Sequence, residues 1–144
     1  MTDARDLETK DKLIAWTYAY ANALDTRQFE DLPALFDPKL ESHFGNVVSR
    51  GPDEFASMVA SHLGGCGPSQ HLFSNHRVSI AGNTAQVVFY ANIMHAGTGD
   101  NADTFFQVWS EYTASMVRVR GVWRATLFDQ RIIKTDGDMS ILKP

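Results

Sequence analysis

The chain has 144 residues, 44% of them hydrophobic and 11% aromatic, which suits one well-packed core and is short for two. Thirteen basic against seventeen acidic residues give a net charge of −4, without the basic footprint that nucleic-acid binding needs. Apolar runs are only a few residues long and the N-terminus MTDARDLETKDK is charged, so neither a membrane span nor a signal peptide is expected, and a cytoplasmic chain is.

Residues 6–26 repeat apolar positions at helical spacing, with Leu13, Trp16, Thr17, Tyr20 and Leu24 on one side and Ile14, Tyr18 and Ala21 extending the stripe. At 100° per residue Asp25 falls within about 20° of Ile14 and Tyr18, which puts a carboxylate at the edge of the apolar face. A short second helix is expected over residues 29–36, limited by Pro33 and stopped by Asp37-Pro38. A strand is expected over 40–48. Gly51-Pro52 then opens a third helix through DEFASMVASHLGG, ended by its glycines. The only cysteine, Cys66, follows in GGCGP, with no second thiol for a disulfide or a metal.

From Gln70 the pattern alternates. HLFSNHRVSI, AQVVFYANIMH, FFQVWSEYTASMVRV and VWRATLFDQRII read as four long strands in two hairpins turning at AGNT and Arg120-Gly121. Helices first and antiparallel strands after give an α+β domain over residues 1–144, its helices on one face of a curved sheet. The last residues, KTDGDMSILKP, read as a tail whose Met139, Ile141 and Leu142 cover a pocket mouth.

Three polar residues converge in this arrangement: Asp25, His71 and His95. A three-residue turn after Ile80 makes paired positions sum to 166 and sets His71 opposite His95; a two-residue Gly82-Asn83 turn sums to 165, sets His71 opposite Met94 and turns His95 to the other face. A histidine pair with a carboxylate can do general acid/base work. No H-x-H or H-x-x-x-H spacing supports a metal, and no dinucleotide or phosphate motif is present, so no cofactor is expected. Around Arg120-Gly121 a sum of 241 sets Tyr112 opposite Asp129 and Ser110 opposite Arg131. His43, His62 and His76 have no evident partner. An outer sheet face carrying Leu72, Val78, Val88, Tyr90 and Trp109 points to a homo-oligomer, a dimer or trimer.

Through YANALDTRQFEDLPALFDP, SQHLFSNHRVSIAGNTAQV and GVWRATLF the chain resembles the NTF2-like, or SnoaL-like, cone-shaped α+β superfamily over nearly its whole length. Within it, DEFASMVASHLG, SQHLF, NIMHAGTGD and GVWRATLF are most similar to the scytalone dehydratase family. That resemblance implies catalytic roles for Asp25, His71 and His95 and a pocket position for Ser110. The family's two carbonyl-polarising tyrosines fall on Leu24 and near Phe44, and its pocket asparagine near Tyr112, so a different substrate is implied. Bile-acid dehydratases likewise pair an Asp on this helix with a His on this strand.

The resemblance implies an apolar pocket for a small hydrophobic cyclic or aromatic substrate, with Tyr18, Phe44, Phe73, Ser110, Tyr112 and Met116 as candidate binding residues and Phe89, Phe106 and Val108 as further walls. The implied reaction is elimination of water, with His71 or His95 removing a proton α to a carbonyl and Asp25 orienting the imidazole. The alternatives are a ketosteroid-isomerase-like isomerase, a polyketide cyclase, and a non-catalytic small subunit or ligand-binding module.

Overall fold

A computed structural model describes residues 3–142. Helix α1 (Ala4–Asp25) starts where the Asp3 carboxylate accepts the Arg5 N–H at 3.1 Å, and buries Leu13, Trp16, Thr17, Tyr20, Ala21, Ala23 and Leu24. Tyr18 does not join that face: it is 47% exposed. Pro33 lacks an N–H, so the expected second helix is two 3-10 turns, Phe29–Asp31 and Pro33–Leu35. The expected single strand is a hairpin, β1 (Phe36–Phe44) and β2 (Val47–Arg50), turning at Gly45 with φ 61°. Helix α2 (Pro52–Leu63) has Pro in its first turn and ends at Gly64.

Four long strands follow: β3 (Ser69–Ala81), β4 (Thr84–Ala96), β5 (Phe105–Val119) and β6 (Val122–Gly137), with a closing 3-10 turn at Met139–Leu142. The sheet order is β2-β1-β6-β5-β4-β3, antiparallel throughout except for β1 beside β6. Tyr20 anchors the helix to the sheet at the centre of an aromatic cluster with Phe36, Phe55, Phe73, Tyr112 and Phe128. This is the expected α+β cone. The tail is partly strand, since β6 runs on to Gly137; Lys143 and Pro144 lie outside the described residues.

Register differs from the expected 166. The turn is the two-residue Gly82-Asn83 type, with Ala81 opposite Thr84, and Arg77 pairs with Val88 in the same frame. Between Ser74 and Arg77 the frame slips by one residue, so that Ser74 pairs with Tyr90 and His71 with Ile93. Asn75, at φ 57°, takes up the extra residue of a β-bulge. Because one extra residue reverses the alternation, His71 and His95 share the inner face even though the two-residue turn alone would separate them. The same bulge turns Val78 inward against the core, leaving Leu72 and Tyr90 exposed on the outer face with the partly buried Val88 and Trp109.

A second slip, between Ser115 and Met116, moves β5 and β6 from a sum of 241 to 242. Tyr112 therefore faces Gln130, and Ser110 faces Ile132, in place of Asp129 and Arg131.

His76 sits inside the first bulge. Its Nε2–H donates to the Thr17 hydroxyl at 2.9 Å, and that hydroxyl donates to the Ile14 carbonyl at 2.7 Å. Its ring stacks on Phe89 at 5.2 Å and meets Tyr18 edge-on. The bulge is thus pinned to α1, and His76 is not a partnerless residue. At the left-handed Asn75, a β-branched side chain would be strained by about 1–3 kcal/mol. Asn75→Val is expected to lower the melting temperature and Asn75→Gly to hold or raise it; thermal unfolding of the three proteins checks this.

Candidate active site

The end of α1 determines where Asp25 lies. Arg27 takes the left-handed position after the helix (φ 60°), its N–H bonding Leu24 O at 3.1 Å and the Gln28 N–H bonding Ala23 O at 2.8 Å. Glycine usually fills this position, so Arg27 is there against a steric cost. Its guanidinium offsets that cost by donating to Leu24 O at 2.7 Å, Ser69 Oγ at 2.7 Å and Gly67 O at 2.6 Å. The Gly67 backbone is itself pressed against the end of β4, where a Cβ would collide with the Gly97 carbonyl.

Asp25 grips His71 twice. Its Oδ2 accepts the His71 backbone N–H at 2.9 Å, and its Oδ1 accepts the ring Nδ1–H at 2.6 Å. Ser69, which receives the Arg27 donor, donates its own O–H to Asp25 Oδ1 at 3.3 Å. Burial pushes the carboxyl pKa up, but the hydrogen bonds from the His71 ring and backbone and from Ser69 outweigh it and hold the group below its ordinary value. Asp25 is therefore ionised at neutral pH, fixes the Nδ1–H tautomer of His71 and leaves Nε2 on the cavity side. An anion at a helix C-terminus opposes the helix dipole, so the placement serves the imidazole more than the helix.

His95 stands diagonally across from His71, with ring centroids 5.6 Å apart, and its ring is parallel to Phe106 at 6.4 Å. It is 5% exposed, and its Nδ1 is buried with no partner among the described residues. Burial first, then the nearby His71 and Arg27, lower its pKa to about 4, against a smaller opposing pull from Asp25. The two imidazoles thus differ: one is backed by a carboxylate, and the other is neutral.

Both line a cavity of about 470 Å³ with mostly apolar walls, among them Leu24, Phe44, Val59, Ile93, Phe106 and Val108. Met139 and Leu142 of the tail line it too, while Ile141 is buried. Tyr112 and Phe44 are in the wall, as the sequence suggests. Phe73 and the expected further wall Phe89 lie behind it, packed on each other and on Tyr112, and Ser110 is buried beside Gln130. Two proposed lining residues lie elsewhere. Tyr18 is on the outside of α1 against His76, and Met116 is in a separate hollow with Ile80 and Thr126 near the far end of the sheet.

Four participants escape the sequence reading. His62 lines the cavity from α2, its Nδ1–H donating to Met58 O at 2.8 Å. Gln130 lines it from β6, its Nε2 donating to the Tyr112 hydroxyl at 3.1 Å and to Ser110 Oγ at 3.4 Å. Arg27 and Ser69 back the carboxylate. Ser69 alone carried a signal, lying two residues before His71 on the same strand face. Among the described residues no group of three or more His, Cys, Asp or Glu could hold a metal ion, and no helix is long and apolar enough to cross a membrane.

A depressed histidine pKa carries a definite stability sign. Between the ordinary 6.5 and the folded value of about 4, the unfolded chain binds more protons at His95 than the folded one. Stability from this residue is full above pH 6.5 and lost as pH falls towards 4; His76, lowered by burial, acts with the same sign. Urea unfolding across this window is expected to show a shallower loss in His95→Asn than in the parent chain.

The fold has well-populated company. A candidate scytalone dehydratase from Novosphingobium aromaticivorans DSM 12444 superposes with a TM-score of 0.84 at 20% identity, over 92% of this chain and 89% of that one. A candidate aromatic ring hydroxylase from Novosphingobium aromaticivorans gives 0.85 at 20% identity, over 95% and 98%. The hexachlorocyclohexane dehydrochlorinase LinA-type3 from Novosphingobium barchaimii LL02 gives 0.82 at 16% identity, over 95% and 94%. At such identities these similarities establish the fold. No functionally curated protein matches the chain. The profile of the SnoaL-like domain matches residues 5–129, and the chain belongs to that family.

Proposed function

We propose that the protein is a cofactor-independent lyase of the dehydratase type, acting on a small hydrophobic cyclic hydroxy-ketone. The observation that carries this reading is the Asp25 carboxylate on Nδ1 of an imidazole whose other nitrogen meets an apolar cavity. His71 Nε2 takes the proton from the carbon α to the carbonyl, and the C–H electron pair becomes an enolate. The enolate re-forms the carbonyl as the β C–O bond breaks, and the proton on His71 leaves with that oxygen as water. Asp25 stabilises the imidazolium between the two steps. His95, neutral at working pH and with its Nδ1 buried, has only its other ring nitrogen to present to the substrate and does not act as the acid. Two of the superposing proteins bear names of eliminations, of water and of hydrogen chloride, which suits this chemistry.

Isomerisation is the second reading: the same carboxylate-backed base, His71, completes an isomerisation when it returns the proton to another carbon instead of to the departing oxygen.

The test is a screen of hydroxylated cyclic ketones followed by mass. Loss of water is expected, with His71→Asn slowing the chemical step by about two to four powers of ten. Asp25→Asn should cost less, and the double variant should fall well short of the summed effects because the pair acts as a unit. Dehydration that survives loss of His71 would overturn the mechanism; a product of unchanged mass but altered connectivity, carrying deuterium when the reaction is run in heavy water, would favour the isomerase.

Self-association belongs to the same proposal. Leu72 and Tyr90 give the outer sheet face its apolar area, and Glu111, held by Arg77 at 2.9 Å and Arg131 at 3.3 Å, gives it both signs of charge for a second copy. Sedimentation at micromolar concentration is expected to give a multiple of the chain mass; the monomer mass would count against it.

A further inference from the structure

Helix α1 stops on a residue that is strained there, and the stop itself does not require that residue. Arg27 has φ 60°, where a glycine would end the helix without strain. The bonds that terminate the helix, from the Arg27 N–H to Leu24 O and from the Gln28 N–H to Ala23 O, are backbone to backbone and need no arginine. What the side chain adds is a permanent positive charge on a fork long enough to reach β3.

The half-buried guanidinium is fixed from three sides. It donates to Leu24 O at the helix end, to Gly67 O before β3 and to Ser69 Oγ on β3, at 2.7, 2.6 and 2.7 Å. Gly67 is bonded in turn to β4: its N–H donates to Ala96 O at 2.8 Å, and the Ala96 N–H donates to Pro68 O at 2.8 Å. Ser69 is the cross-strand partner of His95. The charge is therefore anchored to the strand ends that carry both histidines and to the hydroxyl that donates to Asp25.

The two imidazoles meet this charge on unequal terms. Asp25 lies against the His71 ring at 2.6 Å and offsets the guanidinium there. His95 makes no carboxylate contact among the described residues, and its Nδ1 is buried without a partner. The charged and titratable groups that act on it are His71 from β3 and Asp25 and Arg27 from the end of α1; Tyr20, His62 and Tyr112 face the same cavity from α1, α2 and β5. Burial, His71 and Arg27 all oppose an imidazolium at His95, and only Asp25 favours one.

We infer that Arg27 is a positioning residue of the active site whose fixed charge directs the substrate proton to His71 and keeps it off His95. The histidine pair then works as one base and one uncharged hydrogen-bonding partner, and the division is set at the helix cap. The inference deepens the acid/base reading of the site and rests on it, but its test needs no substrate.

The test is a nitrogen-15 titration of both imidazoles in the full chain and in three variants. Arg27→Gly relaxes the backbone and removes the charge, Arg27→Gln removes the charge while keeping amide donors, and Arg27→Lys keeps the charge without the fork. In the parent, His95 is expected to stay neutral until the pH approaches about 4. In Arg27→Gly and Arg27→Gln its midpoint should rise by about one pH unit, with a smaller change at His71, so that the gap between the two narrows. Arg27→Lys should stay close to the parent. If glycine loosens the loop too far for the chain to fold, the glutamine variant carries the same expectation. A residue that only tied the helix to β3 would lower the melting temperature on substitution and leave the His95 midpoint where it was. That outcome, an equal rise in Arg27→Lys, or equal shifts of both histidines would each overturn the inference. Failure of the lyase reading is separate: it would appear as no turnover in the ketone screen with these titrations as expected.

Discussion

A carboxylate that accepts both the backbone N–H and the ring N–H of one residue ties three levels of this structure together. The Asp25–His71 contact joins the last turn of α1 to the first residues of β3, closing one end of the cone. It satisfies a strand N–H, fixes an imidazole tautomer and stabilises a carboxylate at the unfavourable end of a helix dipole. Arg27 and Ser69 act behind it. A guanidinium in a left-handed backbone position holds the Ser69 hydroxyl, which donates to the carboxylate, so the negative charge that His71 experiences depends on how the helix stops.

From that corner the cavity runs along the strands between unlike polar groups. At one end a carboxylate-backed imidazole and a neutral one stand 5.6 Å apart; deeper along the sheet, the Tyr112 and Ser110 hydroxyls and the Gln130 amide form a second polar cluster. The walls between are aromatic and aliphatic, which strengthens each polar contact made inside them. The shared fold of proteins with quite different names is consistent with this division: the cone supplies enclosure and a few inward positions, and the residues at those positions determine the chemistry.

Much of this was legible in the sequence. Apolar periodicity located α1, α2 and the four long strands, and Asp25, His71 and His95 are singled out by a cross-strand pairing together with the family resemblance. Register was less accessible, because a β-bulge adds a residue without changing the alternating pattern that identifies a strand. Asn75 reverses the consequence of the two-residue turn, and the slip beside Met116 exchanges Asp129 for Gln130 opposite Tyr112. Gln130 therefore stayed hidden, although it is the polar residue that organises the second cluster. Tyr18 failed for another reason: a wheel angle places a residue relative to its helix, and the sheet covers only part of the stripe.

The most direct test of the account is the tautomer of His71, read from the nitrogen-15 shifts of its ring with the imidazole neutral. The account requires a protonated Nδ1 and a bare Nε2, with that preference weakened in Asp25→Asn. A protonated Nε2 in the parent chain would leave no base facing the cavity and would contradict it.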